Sequence, residues 1–426
     1  MNAQEKINIV WLRRDLRLDD NHALFKALEE TGKVLLVFIF DPEILAKLPR
    51  HDKRISLIYE RLETLKSQLC AMGGDLCVLH APILEAWQSL HAQYAISKIF
   101  ANQDDEPYAL HRDQAVAQWA KSLGMACHFV KDVGIFERTE ILKADGTPYT
   151  VFTPYSRAWK AKYVHAQHAK AYPCENLAGK ILPKTASEMP SMESLGFDKV
   201  DFLMPSESYD FSQYEAMRNT LAGETTRWSI ALRFGFWSVR KALRLGGHVD
   251  GFVNEIIWRD FFRMLLFHFP HVVHEPFKEK FKHIPWRENP ADFERWKNGE
   301  TGYPLIDAAM NELNTTGFMH NRARMVVAGF LCKHLLLDYR LGEAYFAEKL
   351  LDFDLSANNG NWQWSSGTGC DAAPFFRIFN PSLQSAKFDS QGLYTKKWLP
   401  KDYNVFPIIA HEAARQRALA FMRTYL

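Results

Sequence analysis

The sequence lacks several features that define common classes of protein. None of its six cysteines belongs to a CxxC pair, which excludes a zinc ribbon and offers no disulfide framework. No segment reaches the roughly 18 consecutive apolar residues of a membrane span, and the N-terminus MNAQEKINIVWL lacks the pattern of a signal peptide. We therefore expect a soluble, cytoplasmic protein without a membrane partner.

Basic and acidic residues are nearly equal in number. The 52 basic and 50 acidic residues give a net charge of +2, which excludes a uniformly basic surface but is compatible with a local basic groove. At 426 residues, with 47% hydrophobic and 24% charged content, the chain is long enough for two or three globular domains.

The first part of the chain alternates short apolar runs with amphipathic stretches. Strands are predicted at 7–11, 34–40, 76–79, 96–101 and 127–130, and helices at 23–30, 55–72, 83–94 and 108–123. This alternation predicts an α/β domain over residues 1–132, with a doubly wound, Rossmann-like parallel sheet. The turn after the first strand reads RRDLRLDDN, so the glycine fingerprint of classical dinucleotide binding is missing.

The pattern changes twice further along the chain. Over residues 133–213 the periodicity weakens and prolines recur, which predicts an interdomain linker with some helix, including 155–163. From residue 214 to 426 only helical periodicity remains, which predicts an all-α domain. His268, His271 and His274 are poor metal ligands because Pro270 breaks the helix that would align them.

The segment 352–381, DFDLSANNGNWQWSSGTGCDAAPFFRIFNP, is the most informative stretch. It combines carboxylates and amides with Trp362 and Trp364. Polar side chains are costly to bury without partners, so such a run is either exposed to solvent or arranged around a polar, aromatic ligand. The tryptophans favour the second interpretation, with a flavin or a nucleobase as the ligand.

Two further motifs have a structural and a functional interpretation. In GETTRWSIALRFG (223–235), hydroxyl side chains stand where a helix begins, and they either cap it or bind phosphate. In NEIIWRDFF (254–262), Glu255 shares a helix face with Trp258 and Arg259. These side chains form either a surface ion pair beside a buried indole or a carboxylate and an indole that face one cavity.

The motif GFMHNRARM (317–325) places two arginines at the start of a helix. Both could face solvent. Alternatively, Arg324 pairs with a buried carboxylate while Asn321 hydrogen-bonds a base edge, since amides read donor and acceptor patterns well.

Together and in this order, VWLRRDLRLDDN, TGYPLIDAAM, GFMHNRARM, DFDLSANNGNWQW and AAPFFRIFNP resemble the photolyase and cryptochrome family over essentially the whole chain. The resemblance implies an N-terminal α/β antenna domain, a long linker and a C-terminal helical domain that holds FAD. In this resemblance Asn358 faces flavin N5, and Arg324 pairs with Asp352 near the ring. The implied FAD-binding residues are Tyr214, Thr225, Thr226, Arg227, Trp228, Ser229, Phe252, Arg259, Arg324, Asp352, Phe353, Asp354 and Asn358.

Within that family, the substrate pocket is most similar to class I enzymes that split cyclobutane pyrimidine dimers. The implied catalytic residues are Glu255, Trp258, Asn321, Met325 and Trp364. A (6-4) photolyase is expected to have histidines in place of Asn321 and Met325. The resemblance thus implies light-driven repair by electron transfer from excited FADH⁻ to a dimer flipped out of DNA. Contacts to the damaged DNA are implied for Arg322, Arg377, Asn380 and Gln384.

Several alternatives stay open. A (6-4) photolyase or a cryptochrome-type blue-light photoreceptor is the alternative function, and a flavin oxidoreductase is disfavoured because no nicotinamide fingerprint is present. The implied electron relay consists of Trp362, Tyr339 and Trp286, with a tyrosine in the middle where relatives carry tryptophan. A second, antenna chromophore (folate, deazaflavin or another) is undecided. We expect a monomer.

Overall fold

The computed structural model describes residues 5–183, 188–204, 207–372, 374 and 376–425. Positions 373 and 375, in the AAPFFRIFNP motif, lie outside the described residues. Within those ranges no helix is both long enough and apolar enough to cross a membrane.

A parallel sheet forms the centre of the N-terminal region. Its strands run in the order β3-β2-β1-β4-β5 and all pair in parallel. The central strand β1 is buried along its whole length, as expected for a parallel sheet with both faces covered. The strands are β1 (Ile7–Leu12), β2 (Lys33–Phe40), β3 (Leu76–His80), β4 (Ile96–Asn102) and β5 (Ala126–Val130).

Helices connect the strands, which confirms the predicted doubly wound α/β fold. Asn21 caps the first helix by accepting a hydrogen bond from the Leu24 N–H. The helices are α1 (His22–Glu29), α2 (Pro42–Leu45), α3 (Lys53–Ala71), α4 (Ile83–Gln93) and α5 (Pro107–Ser122).

The rest of the described chain contains helices and no further strand. Short ones come first: α6 (Phe152–Lys162), α7 (His165–His168), α8 (Leu177–Lys180), α9 (Tyr214–Met217), α10 (Trp228–Arg233) and α11 (Val239–Gly246). The others are α12 (Asp250–His268), α13 (Pro290–Lys297), α14 (Pro304–Thr316), α15 (Asn321–Gly329), α16 (Tyr339–Lys349), α17 (Leu355–Ser366), α18 (Pro381–Phe388), α19 (Leu393–Trp398) and α20 (His411–Tyr425). The helical C-terminal region is thereby confirmed.

Shorter helical turns link these elements. Turns of 3-10 helix lie at Phe211–Gln213, Pro270–Val273 and Glu279–Phe281, and a π-helical turn at Phe330–His334 follows α15. The helix α12 ends at His268, just before Pro270, because proline cannot continue the helical hydrogen bonding.

The chain divides into two compact units, each built from three segments. The first unit comprises Met1–Glu140, Lys162–Met204 and Trp228–His248, and the second comprises Ile141–Ala161, Pro205–Arg227 and Val249–Leu426. The sequence-based boundaries at residues 132 and 213 stay a prediction.

A buried ion-pair network joins two segments of the first unit, Met1–Glu140 and Trp228–His248. Asp132 binds the guanidinium groups of Arg17 and Arg240, and Arg240 also reaches Asp20 with a Nε to Oδ1 distance of 2.7 Å. Burial alone would raise the pKa of Asp132, but the two arginines outweigh it and hold that pKa at about 2.

In the second unit, α16 and α17 pack closely against each other. Trp362 on α17 packs against the bare backbone of Gly342 on α16, and Phe262 on α12 packs against Gly360 in the same way. A methyl group at either glycine would overlap the aromatic ring. These two glycines therefore set how closely the helices approach.

Candidate functional site

A polar cavity of about 590 Å³ lies in the second unit. Its walls come from the start of α15, the loop before α17 and one face of α17. The sequence-predicted residues that line it are Asn321, Arg324, Met325, Asp352, Phe353, Asp354, Asn358, Trp362 and Trp364. The structure thus brings together residues that are separated by up to about 40 positions in the chain.

The expected ion pair between Arg324 and Asp352 is present. Their Nη2 and Oδ2 atoms are 2.9 Å apart, with the Asp352 side chain only 4% exposed. The Arg324 Nε donates to the Met319 carbonyl at 2.7 Å. The guanidinium is thereby fixed at the cavity wall, where it can hold a polar ligand by charge-assisted hydrogen bonds.

Local capping positions the two helices that carry these side chains. Asp354 is the N-cap of α17, where its carboxylate accepts a hydrogen bond from the Ala357 N–H at 3.2 Å. His320 caps α15 by accepting from the Arg322 N–H through Nδ1 at 3.0 Å. Burial lowers the pKa of His320 to about 4, so the ring is neutral and can accept.

Asn358 is buried on the cavity face of α17 and is held by α16. Its Nδ2 donates to the Glu343 carbonyl at 3.1 Å. The neighbouring Asn359 donates to the Glu343 carboxyl oxygen Oε1, also at 3.1 Å. Burial raises the pKa of Glu343 to about 7, so a titratable carboxyl group lies against Asn359, the residue next to the amide predicted to face the flavin.

Glu255 lies on α12 and pairs with Arg218, which directly follows α9. Desolvation raises the pKa of the Glu255 carboxyl group, and the Arg218 guanidinium opposes that rise. Arg218 also sits 5.5 Å from the ring of Tyr214, which packs edge-to-face on Phe252. Tyr214 and Phe252, both predicted to bind the cofactor, are thus adjacent to the Glu255 pair.

Trp258 lines a second, apolar cavity of about 450 Å³. Trp364 lines this cavity as well as the polar one. Phe152 of α6 covers one face of the Trp258 indole, with ring centroids 3.5 Å apart and planes only 2° from parallel. An aromatic surface shared by two adjoining cavities can accommodate flat rings from two different ligands.

The predicted phosphate-binding residues lie around the start of α10. Thr225, Thr226 and Arg227 precede this helix, and Trp228 and Ser229 are its first residues. Arg227 has a backbone φ of 50°, in the left-handed region that non-glycine residues seldom adopt.

Arg259 is half-buried on α12, one turn after Glu255. It therefore lies on the helix face that the sequence pattern indicated for the carboxylate, although its predicted role in binding FAD stays a prediction.

The predicted electron-relay residues do not all touch. Trp362 is buried, and in the described chain its ring contacts are with Trp296 and Phe346. Tyr339 is buried at the start of α16 without a ring contact to Trp362 among those described. Trp286 is half-buried, with its ring 6.0 Å from that of Phe421.

The predicted DNA contacts lie around α15 and α18. The Arg322 Nη2 donates to Asn219 Oδ1 at 2.6 Å, and its guanidinium sits 4.4 Å from the Phe388 ring. Asn380 caps α18 by accepting from the Ser382 N–H at 3.0 Å. Arg377 is exposed in the preceding loop, whereas Gln384 is half-buried on α18.

Sequence reasoning missed three residues that shape the site. Arg218 and Phe152 reach Glu255 and Trp258 from distant parts of the chain, so no local spacing signals them. Glu343 follows a helical pattern and looks like a solvated charge. Only the packing of α16 against α17 shows that its carboxyl group is buried beside Asn359.

Comparisons with known proteins agree with this geometry. The model for DNA photolyase matches residues 8–174, and that for the FAD binding domain of DNA photolyase matches residues 252–424. A deoxyribodipyrimidine photo-lyase of Synechococcus sp. is 34% identical over 431 residues, which cover 94% of this chain and 89% of the relative.

Solved structures give the same result. A class III photolyase from Agrobacterium tumefaciens matches with a TM-score of 0.86 at 30% identity, covering 100% of this chain and 98% of the other. An archaeal photolyase from Sulfolobus tokodaii with two FAD molecules matches with a TM-score of 0.85 at 30% identity, covering 98% of this chain and 100% of the other. The chain therefore belongs to the DNA photolyase family of enzymes, with FAD as its cofactor.

Proposed function

We propose that this protein repairs cyclobutane pyrimidine dimers in DNA under blue light. The observation that carries the proposal is the position of Trp364, which lines both the polar cavity and the apolar cavity beside Trp258. A cofactor in the polar cavity and a flipped-out lesion against the indoles would then share one wall. The relative from Synechococcus sp. is named as a deoxyribodipyrimidine photo-lyase, which agrees with this substrate.

The polar cavity suits the flavin part of FAD. Asn358 would offer its amide to the ring edge, because an amide can both donate and accept as the ring changes protonation. The Arg324–Asp352 pair adds fixed polar groups on the same wall. When bound and reduced, FAD supplies on illumination the electron that splits the cyclobutane ring.

Individual side chains then have distinct roles. Trp258 and Trp364 provide aromatic surface that replaces the stacking a lesion loses when it leaves the duplex. Glu255 provides a hydrogen bond at a pyrimidine carbonyl, where negative charge develops during ring splitting. For that it must carry a proton, and desolvation raises its pKa in this direction.

The surface around α18 suits contact with the DNA backbone. Arg377 is exposed there, close in sequence to Phe376 and Leu383, whose relative exposures are 65% and 66%. A cation among exposed apolar side chains positions a strand through phosphate contacts and stacking without reading its sequence.

The test is illumination of the FAD-loaded, chemically reduced protein with an oligonucleotide that carries one thymine dimer. We expect thymine absorbance to recover in the light only, and to recover much more slowly in Glu255→Ala and Trp258→Ala. Glu279→Ala is the matched control, because that side chain is 89% exposed and its pair with Lys282 spans 3.7 Å; it should repair normally.

A second oligonucleotide with a (6-4) photoproduct separates the alternatives. Recovery of that substrate alone would replace the proposal with (6-4) repair. No recovery of either substrate, despite bound and reduced FAD, would contradict a repair function and favour a photoreceptor.

A further inference from the structure

We propose that electrons reach the flavin from Tyr345 through Trp296 and Trp362, and that this relay bypasses Tyr339. The proposal rests on the FAD site of the family and does not depend on which DNA lesion is repaired. It concerns how oxidised flavin becomes reduced in the light, which precedes repair.

Ring contacts define this route. The centroids of Trp362 and Trp296 are 6.2 Å apart, with the planes inclined by 70°. Trp296 in turn contacts Tyr345 at 5.9 Å and 63°. Electron transfer between aromatic rings slows steeply as the gap between them widens, so two successive edge-to-face contacts form a continuous path.

The route runs from two buried rings to a half-buried one. Trp362 is 2% exposed and Trp296 is fully buried, with its Nε1 donating to the Val327 carbonyl at 3.3 Å. Tyr345 is half-buried at the edge of this core. The path therefore leads from the cavity wall to the protein surface, where an external reductant can act.

Tyrosine chemistry distinguishes Tyr345 from Tyr339. An oxidised tyrosine is strongly acidic and must release its phenolic proton to keep the hole. The Tyr345 hydroxyl donates to Asn314 Oδ1 at 2.6 Å in an exposed hydrogen bond. Water can therefore take up the released proton. Tyr339 is 2% exposed, and among the residues that the structure describes the rings in contact with Trp362 are those of Trp296 and Phe346, not that of Tyr339.

Charged groups of both signs surround the Tyr345 ring. Lys297 and Lys349 hold their ammonium groups 5.7 Å and 5.5 Å from the Tyr345 ring. Each lysine is paired with a carboxylate at 2.7 Å, Lys297 with Glu294 and Lys349 with Glu348, so these charges do not by themselves distinguish the two tyrosines. In the ground state, burial raises the pKa of Tyr345 to about 12, so the proton is released only upon oxidation.

The electrons and protons balance. One electron passes from Trp362 to the light-excited flavin, Trp296 refills Trp362, and Tyr345 refills Trp296. The phenolic proton of Tyr345 passes to water. A thiol in the medium then returns a hydrogen atom to the Tyr345 radical and becomes a thiyl radical, which resets the relay. A second passage supplies the second electron that full reduction of the flavin requires.

The experiment uses the full chain with oxidised FAD bound, and it follows the radical directly by electron paramagnetic resonance after illumination. We expect a tyrosyl signal in the parent protein, its loss in Tyr345→Phe and its retention in Tyr339→Phe. Each variant keeps the ring and removes only the hydroxyl, which makes the pair a matched comparison. Trp296→Phe should also lose the signal. If this variant fails to fold because Trp296 is buried, the comparison of Tyr345→Phe with Tyr339→Phe still tests the proposal.

A signal that survives in Tyr345→Phe, or one that disappears in Tyr339→Phe, would overturn the proposed route. Dimer repair by chemically reduced protein provides an independent measurement. It should be unchanged in Tyr345→Phe, so failure of the relay proposal and failure of the proposed repair function give different results.

Discussion

At Glu255, desolvation and a neighbouring arginine act in opposite directions on one carboxyl group. Desolvation raises its pKa, and the ion pair with Arg218 lowers it without cancelling the rise. The protonated form, which can donate a hydrogen bond to a substrate carbonyl, is therefore populated at higher pH than in an ordinary glutamate.

A pH dependence of repair follows. We expect the repair rate of the reduced protein to fall as the pH rises through the raised pKa of Glu255, because the proton needed for donation is lost. Glu255→Gln cannot ionise and still donates through its amide, so its rate should not show this fall. The measurement is the rate of dimer splitting against pH for both proteins, and identical profiles would contradict the assignment.

Phe152 gives a second prediction at the scale of one residue. Its ring stacks face-to-face on Trp258 and holds the indole in place. Phe152→Leu removes the aromatic contact, which is worth about 1 kcal/mol, so dimer-containing DNA should bind several-fold more weakly. Titration in the dark measures this, with Phe152→Tyr as the control that keeps the ring. Equal affinity in the leucine variant would show that the stack does not support the lesion pocket.

At the scale of whole elements, α16 can approach α17 closely because Gly342 has no side chain. A methyl group at Gly342 would overlap the Trp362 indole and Leu331. Gly342→Ala should therefore force the helices apart and cost about 1–3 kcal/mol of unfolding free energy.

Gly329 offers the matched control, since its nearest neighbour is a Phe379 atom at 3.5 Å, an ordinary contact distance. Gly329→Ala should be neutral or stabilising by up to about 1 kcal/mol. Urea unfolding of the FAD-loaded variants measures both changes, and equal stability of the two would contradict the packing argument.

Elements were predictable where the sequence pattern is local. The five strands follow their apolar runs to within about two residues, because buried parallel strands need continuous apolar sequence. The helix α15 ends at Gly329 and is followed by the π-helical turn Phe330–His334. Periodicity does not reveal a change in hydrogen-bond register, so the sequence could not show this end.

The sequence predicted which residues form the site better than it predicted the contacts between them. The motif around Asp352 and Asn358 indicated a polar, aromatic ligand, and the Arg324–Asp352 pair is confirmed. The contacts of Phe152 with Trp258 and of Trp296 with Trp362 depend on tertiary packing between distant segments. They carry no local sequence signal.

Over the whole molecule, stability in acid should depend on Asp132. Its depressed pKa means that the carboxylate stabilises the fold at pH values above the ordinary value near 3.8, and that this contribution is lost as the pH falls towards about 2. Asp132→Asn leaves the two buried guanidinium groups of Arg17 and Arg240 without this counter-charge. We expect it to cost about 3–5 kcal/mol at neutral pH.

The control lies in the same unit. Asp198 pairs with Arg50 at 3.0 Å, but the two side chains are 51% and 70% exposed, so Asp198→Asn should cost less than about 1 kcal/mol. Urea unfolding at neutral pH compares the two variants, and a similar small loss in both would show that the buried network contributes little.

The same network bears on how the chain acquires its structure during synthesis. The first unit needs the segment Trp228–His248, because Arg240 supplies the counter-charge for Asp20 and Asp132. A nascent chain that has emerged only as far as residue 204 would leave those carboxylates short of partners. The N-terminal sheet should therefore reach its final stability late, after part of the second unit has left the ribosome, and truncated products should be readily degraded.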